Sequence, residues 1–224
     1  MLVTFFAGVY IACKQLQSRF WPTLCAHNVS QSITSGLHCY AIVAFLLYLG
    51  NDFDESSELL SMAIGFSTSY FVYDSIAVCA FQFSRDWTFL FHHLASILLL
   101  NTAKYGYYPV VLGTHMMFWA EASNIFLYPW YVLRECKARH QKLFLACTIA
   151  MAGTYVPCRT TALTWTCYKT LRVVWTETEN TTLAVFLMHP IIALVFMSWW
   201  HSMKVLKITM WEIRKAQAAA LHVQ

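Results

Sequence analysis

Long uncharged runs dominate the chain. Apolar residues fill 32–50, 59–83, 87–103, 108–133, 143–166 and 181–203. Each run is long enough, or nearly so, to cross roughly 30 Å of hydrocarbon as a helix. A seventh run, 2–13, is short and reaches span length only if Lys14 snorkels and the helix continues toward Leu16. A cleaved signal peptide is not expected there, because no basic residue precedes the run and no small-x-small site follows it. The runs are too long for barrel strands and lack period-two alternation. Backbone polar groups in hydrocarbon must pair within their own segment, which selects helices. The expected fold class is all-α: a polytopic membrane helical bundle of six to seven transmembrane helices.

Composition narrows the class further. The 224 residues are 58% hydrophobic and only 12% charged, with a mean hydropathy of +0.50. A soluble domain carries about 25% charged residues, so this chain lacks the polar surface that a water-soluble enzyme, a disordered protein or a nucleic-acid-binding domain needs. The eight cysteines are scattered, with no C-x-x-C pair and no histidine spacing suited to zinc, so no metal site and no cofactor is expected. Most cysteines fall within spans as small apolar packers.

Charge then sets an orientation. Segments 14–31, 84–86, 134–142 and 204–224 carry Lys14, Arg19, Arg85, Arg134, Lys137, Arg139, Lys142, Lys204, Lys207, Arg214 and Lys215. The opposite side, 51–58, 104–107 and 167–180, carries only Lys104, Lys169 and Arg172, with acids at Asp52, Asp54, Glu55, Glu58, Glu177 and Glu179. The positive-inside rule makes the basic side, and with it the C-terminus, cytosolic. The sequon Asn180-Thr181-Thr182 then faces the lumen as a glycosylation candidate, whereas Asn28-Val29-Ser30 lies on the cytosolic side and should stay unmodified.

Ionisable side chains inside apolar spans cost several kcal/mol unless paired or facing a wet cavity. His38, Asp74, His92, His93, His115, Glu121, Arg159 and His189 are such residues. At a rise of about 1.5 Å per residue from the cytosolic ends, His38 and His93 lie about 9 Å deep, Asp74 about 14 Å, Glu121 about 18 Å and Arg159 about 25 Å. A polar cavity opening toward the cytosol would hold the first four, and Arg159 would pair with Glu121 or reach the outer headgroups. Adjacent helical residues point about 100° apart, so only one of His92 and His93 faces a given pocket squarely. Histidine is the natural proton carrier near neutral pH.

Several short stretches occur together in a recognisable order: Ser35-Gly36-Leu37-His38, Tyr70-Phe71-Val72-Tyr73-Asp74, Phe91-His92-His93-Leu94-Ala95-Ser96, Glu121-Ala122-Ser123-Asn124, then Arg159 and the Trp199-Trp200 pair. In this the chain, from about Phe20 to Lys207, resembles the TLC-domain family of multi-pass membrane proteins, which includes the ceramide synthases. It departs from the synthases where they carry an "H-D-x-x-D" segment. Ala120 replaces the histidine, Glu121 the first aspartate and Asn124 the second. The pattern looks closer to a non-synthase TLC domain-containing protein.

The resemblance implies residues 1–19 as a short N-terminal apolar segment, 20–207 as the transmembrane domain and 208–224 as a basic cytosolic tail. It implies a protein that binds a lipid or acyl chain, with membrane lipids, possible sphingolipids or fatty acyl chains, as partners. The cavity residues are then His38, Tyr70, Asp74, His93, Glu121, Asn124 and Arg159. Such a protein influences membrane lipid composition, in the endoplasmic reticulum or alternatively the plasma membrane. Two other readings stay open. One is an acyl-CoA-dependent lipid N-acyltransferase with His92, His93 and Glu121 as catalytic groups and acyl-CoA as substrate. The other is a trafficking or cargo-escort protein.

Overall fold

A computed structural model describes residues 2–20, 26–49, 58–81, 87–136 and 141–221. The acidic connection 51–57, the turn 84–86 with Arg85, Lys137, Arg139, Cys25 and the Asn28 side chain lie outside the described residues. The described chain is all-helical, without strands: α1 (Leu2–Phe20), α2 (Ala26–Leu49), α3 (Glu58–Phe81), α4 (Trp87–Lys104), α5 (Val110–Ala122), α6 (Leu127–Glu135), α7 (Gln141–Pro157), a π turn (Cys158–Ala162), α8 (Leu163–Glu177) and α9 (Thr181–Leu221). Because α5 continues into α6 and α7 runs through the π turn into α8, these elements form seven rods. Two helices, Val29–Leu49 within α2 and Thr181–Leu221, are long and apolar enough to cross a membrane by length and composition.

Packing closes the rods into a ring. α3 packs on α4, α4 on α9, α9 on α7, α7 on α6, and α6 on α2 beside α3, while α1 covers the outer seam of α2 and α3. α5 enters the middle, held by α2, α4 and α8. Polarity is inverted relative to a water-soluble bundle. Leu47, Tyr48, Met62, Phe196, Trp199 and Trp200 face outward, while His38, Asp74, His93, Glu121, Asn124 and Arg159 are buried. An exterior of this kind suits a hydrocarbon solvent, and an interior of this kind needs internal hydrogen bonds.

Two expected elements differ. The run 108–133 is not one helix but breaks at 123–126 into α5 and α6. The Ser123 hydroxyl competes for the Ala120 carbonyl at 2.6 Å, the Asn124 amide turns to Glu121 O at 2.8 Å, and Pro129 has no N–H for Ile125 O. Segment 167–177, expected to be a loop, instead extends α8 to Glu177. Its buried Leu163, Cys167, Thr170 and Val174 recur at helical spacing and pack on α5 and α9. The last rod runs unbroken past Lys207 to Leu221, about 60 Å at the helical rise and roughly twice the hydrocarbon thickness.

The short first run becomes a 19-residue helix integral to the bundle. Phe6 is 1% exposed and meets Tyr70 edge-on at 5.4 Å and Phe66 at 5.1 Å. The α4–α5 corner is equally constrained. Gly106 adopts φ 80°, a left-handed conformation natural to glycine, and a side chain at Gly113 would meet Ala103 Cβ at 2.9 Å.

Phe6→Ala should therefore destabilise the detergent-solubilised protein by about 2 kcal/mol or more, through the cavity it leaves among the aromatics. Phe5→Ala, at a position 56% exposed, should leave the thermal midpoint nearly unchanged. Equal shifts for the two variants would contradict the packing of α1.

Candidate functional site

The interior site begins with α2 and α3. Their register lays the His38 ring flat on Tyr70, centroids 4.0 Å apart and planes within 11°. His38 Nε2 lies 3.0 Å from the Ser67 hydroxyl, and Tyr70 donates to Ser35 Oγ at 2.8 Å. One turn on from Tyr70, Asp74 accepts a hydrogen bond from Gln31 Nε2 on Oδ1. Its other oxygen, Oδ2, sits 3.2 Å from His93 Nε2 on α4. His93 therefore has a carboxylate that orients its ring, the arrangement that fixes an imidazole for proton transfer.

The helix break supplies the second half. Glu121 lies in the last turn of α5, with Oε1 3.8 Å from His38 Nδ1 and Oε2 3.4 Å from Asn124 Nδ2. Breaking the helix takes the main-chain donors from Ala120 O and Ile125 O, and side chains gather on these and on the neighbouring carbonyls. Cys39 donates its thiol to Glu121 O at 3.1 Å, Tyr40 its hydroxyl to Ile125 O at 2.8 Å, and Cys147 its thiol to Phe126 O at 3.6 Å. Arg159 donates Nη2 to Ala120 O at 3.1 Å and Nε to Ser123 Oγ at 2.8 Å. The π turn after Pro157 delivers that guanidinium, 5% exposed, over the Tyr155 ring at 5.2 Å. Single π turns inside α-helices are frequent at functional sites.

These groups converge on one cavity of about 260 Å³. Of the residues expected from the sequence, Tyr70, His92, His93, Glu121, Asn124 and Arg159 line it. His38 and Asp74 do not. They stand behind the wall, where each backs a lining residue of the opposite kind, His38 behind Glu121 and Asp74 behind His93. His93 and Glu121 thus belong to two separate acid–imidazole pairs, because α3 brings Asp74 to His93 and α2 brings His38 to Glu121. Arg159 bonds the broken helix rather than the Glu121 carboxylate. His92 lines the cavity beside His93 and also borders a smaller space of about 30 Å³ with Leu99, Met116, Met117 and Leu194, so both adjacent histidines reach the main cavity. No group of three metal-ligating side chains occurs among the described residues.

Two lining residues escape sequence reasoning, His201 and Lys204. Lys204 reads as the start of a cytosolic tail, yet α9 continues through it. The signal was present as a stripe at 201, 204, 205 and 208, which is helical spacing along one face. Asn180 lies apart from the cavity, exposed at the start of α9, where its Oδ1 accepts the Leu183 amide at 3.1 Å and caps the helix.

The buried Ser35–His38, Tyr70–Asp74, His92–His93 and Glu121–Asn124 stretches share one interior, and a family model for the TLC domain matches residues 2–207. The chain belongs to the TLC-domain family. The match takes in α1 as well as the six later rods, and with the inverted polarity of the bundle it makes this a membrane protein. No curated protein and no solved structure matches the chain. As a TLC-domain protein it keeps the paired histidines and the acid at Glu121, and it carries Ala120 and Asn124 beside them.

Removing the Ser123 hydroxyl should expose how much the site leans on Arg159. Ser123→Ala leaves the guanidinium Nε without its acceptor and should cost about 1–3 kcal/mol, read as a lower thermal midpoint in detergent. Ser123→Thr should restore most of it. Equal midpoints for wild type and Ser123→Ala would remove Arg159 from its bracing role.

Proposed function

We propose that this TLC-domain protein crosses the membrane seven times and holds a lipid or acyl chain in its interior cavity, and that it thereby influences membrane lipid composition. The cavity carries this reading. Its lining combines ionisable and polar side chains, His93, Glu121, Asn124 and Arg159, with apolar ones, Leu127, Met151, Val205 and Ile208. An amphiphile needs surfaces of both kinds, and about 260 Å³ is just below the roughly 300–1,000 Å³ of ordinary ligand pockets. It takes a headgroup and the start of a chain, with the remainder passing out between helices. The basic end of the bundle, at Arg134, Lys142, Lys204 and Lys207, faces the cytosol, and Asn180 faces the lumen. The endoplasmic reticulum is the compartment this orientation and family favour.

Purification in mild detergent followed by lipid extraction tests the reading. About one lipid per chain should co-purify, enriched over its share of the bulk membrane. Leu127→Trp, which fills the cavity from α6, should lower that occupancy several-fold. Co-purified lipid that merely mirrors the membrane would remove the binding role.

A second reading rests on the His93–Asp74 pair. An imidazole that faces the cavity and is held by a carboxylate at 3.2 Å has the geometry of a general base for acyl transfer from acyl-CoA to a lipid amine. If this chemistry occurs, Asp74→Asn and His93→Ala should each lower amide formation about 100-fold or more, measured by mass spectrometry with acyl-CoA and a long-chain base. Absence of product from the unmodified protein would leave binding as the function.

Orientation has its own readout. A glycosidase-sensitive shift should disappear in Asn180→Gln and persist in Asn28→Gln. A shift that depends on Asn28 would invert the topology.

A further inference from the structure

The ionisable groups of the cavity are not balanced alike. The two carboxylates at the cavity each have an imidazole, Asp74 with His93 at 3.2 Å and Glu121 with His38 at 3.8 Å. Arg159 has no carboxylate within 4.0 Å among the described residues. A guanidinium cannot shed its proton to escape burial, as a lysine or histidine can. Of its five N–H groups, those on Nε and Nη2 bond neutral oxygens, from Ser123 and Ala120. The remaining donors belong to a side chain that lines the cavity. Lys204 lines the same cavity from α9, with its ammonium 5.4 Å from the Trp200 ring centroid. One turn before it His201 adds a further nitrogen-bearing side chain to the wall.

We infer that the cavity is built for an amphiphile with an oxyanion headgroup, a carboxylate or a phosphate, seated between Arg159 and Lys204 with its chain along Leu127, Met151, Val205 and Ile208. This rests on the lipid-binding reading and specifies the ligand. A planar guanidinium with donors to spare matches the two oxygens of a carboxylate or phosphate, and the anion supplies the charge that no protein carboxylate provides at contact distance. Lys204, near the basic end of the bundle, meets the headgroup at the side from which a lipid of the cytosolic leaflet enters.

Binding to the purified full-length protein in non-ionic detergent at pH 8 tests this, with oleate, oleyl alcohol and inorganic phosphate as separate ligands and bound ligand quantified by mass spectrometry. Oleate should bind about tenfold or more tightly than oleyl alcohol, and inorganic phosphate should neither bind measurably nor displace oleate. Lys204→Gln, at an exposed position outside the bonds that brace the helix break, should weaken oleate several-fold and leave oleyl alcohol unchanged. Arg159→Lys should retain part of the preference if it folds, and the Lys204 variant keeps the test decisive if it does not. Oleyl alcohol that binds as tightly as oleate, or more tightly, overturns the oxyanion assignment and leaves lipid binding standing. Phosphate that displaces oleate overturns the amphiphile and points to a free anion site. Binding of none of the three overturns both this inference and the lipid-binding function.

Discussion

A main-chain carbonyl inside hydrocarbon has no water to turn to, and a broken helix exposes several of them. This is the constraint around which the interior is organised. The chain breaks between α5 and α6 at 123–126; the carbonyls of Ala120 and Ile125, which lose their main-chain donors, are met by Arg159 and Tyr40, while Cys39 and Cys147 add thiols to the carbonyls of Glu121 and Phe126, which keep main-chain partners. Those donors come from α2, α7 and the π turn, so the break draws three rods together at one level of the bundle. Interhelical hydrogen bonds in membranes average about 0.6 kcal/mol and reach about 1.7. Two of them answer carbonyls that would otherwise be unsatisfied and the others converge beside these, which together fix the position of the break. Glu121 and Asn124 owe their places on the cavity wall to it.

The same logic explains the two acid–imidazole pairs. In each, the carboxylate lies beside an imidazole and accepts a hydrogen bond from an amide: Gln31 for Asp74 and Asn124 for Glu121. An acid with a polar partner on either side is how the two carboxyl groups are accommodated in an apolar bundle. The pairs differ in which member is exposed to the cavity. In one the imidazole faces it and the acid lies behind, and in the other the order is reversed. The wall therefore presents one base-like and one acid-like group, each oriented from behind.

Much of this was legible in the residues, and the reasons for the rest are physical. Uncharged run length revealed the rods, because crossing hydrocarbon imposes a length. The rarity of ionisable groups in such runs singled out His93, Glu121 and Arg159. Partner choice was not legible: His93 and Glu121 are compatible on chemistry, and only the proximity of α3 to α4 and of α2 to α5 decides that Asp74 and His38 take those roles. Depth left Arg159 open between Glu121 and the outer headgroups, and the π turn that follows Pro157 aims it at Ser123 instead. The α8 extension was hidden by Lys169 and Arg172, whose charges ended the apolar run although Cys167, Thr170 and Val174 carried the buried face onward. The long reach of α9 hid Lys204 in the same way, since a charge ends a span in the sequence without ending the helix.

The replacements at Ala120 and Asn124 take on a structural meaning in this frame. Ala120 contributes its carbonyl, which Arg159 and Ser123 both use. A larger side chain there is unnecessary to that bond. Asn124 supplies what an aspartate cannot, an N–H donor to Glu121 Oε2 at 3.4 Å, and an aspartate in its place would set two carboxylates against each other in a site with little solvent to screen them. The Asn124 amide thus lets Glu121 remain as the single acid on the cavity wall. With one acid instead of two, the guanidinium of Arg159 keeps its charge unanswered at contact distance. The asparagine that stands where the resemblance to the synthases would put an aspartate is therefore also the residue that leaves Arg159 without a second acid beside it.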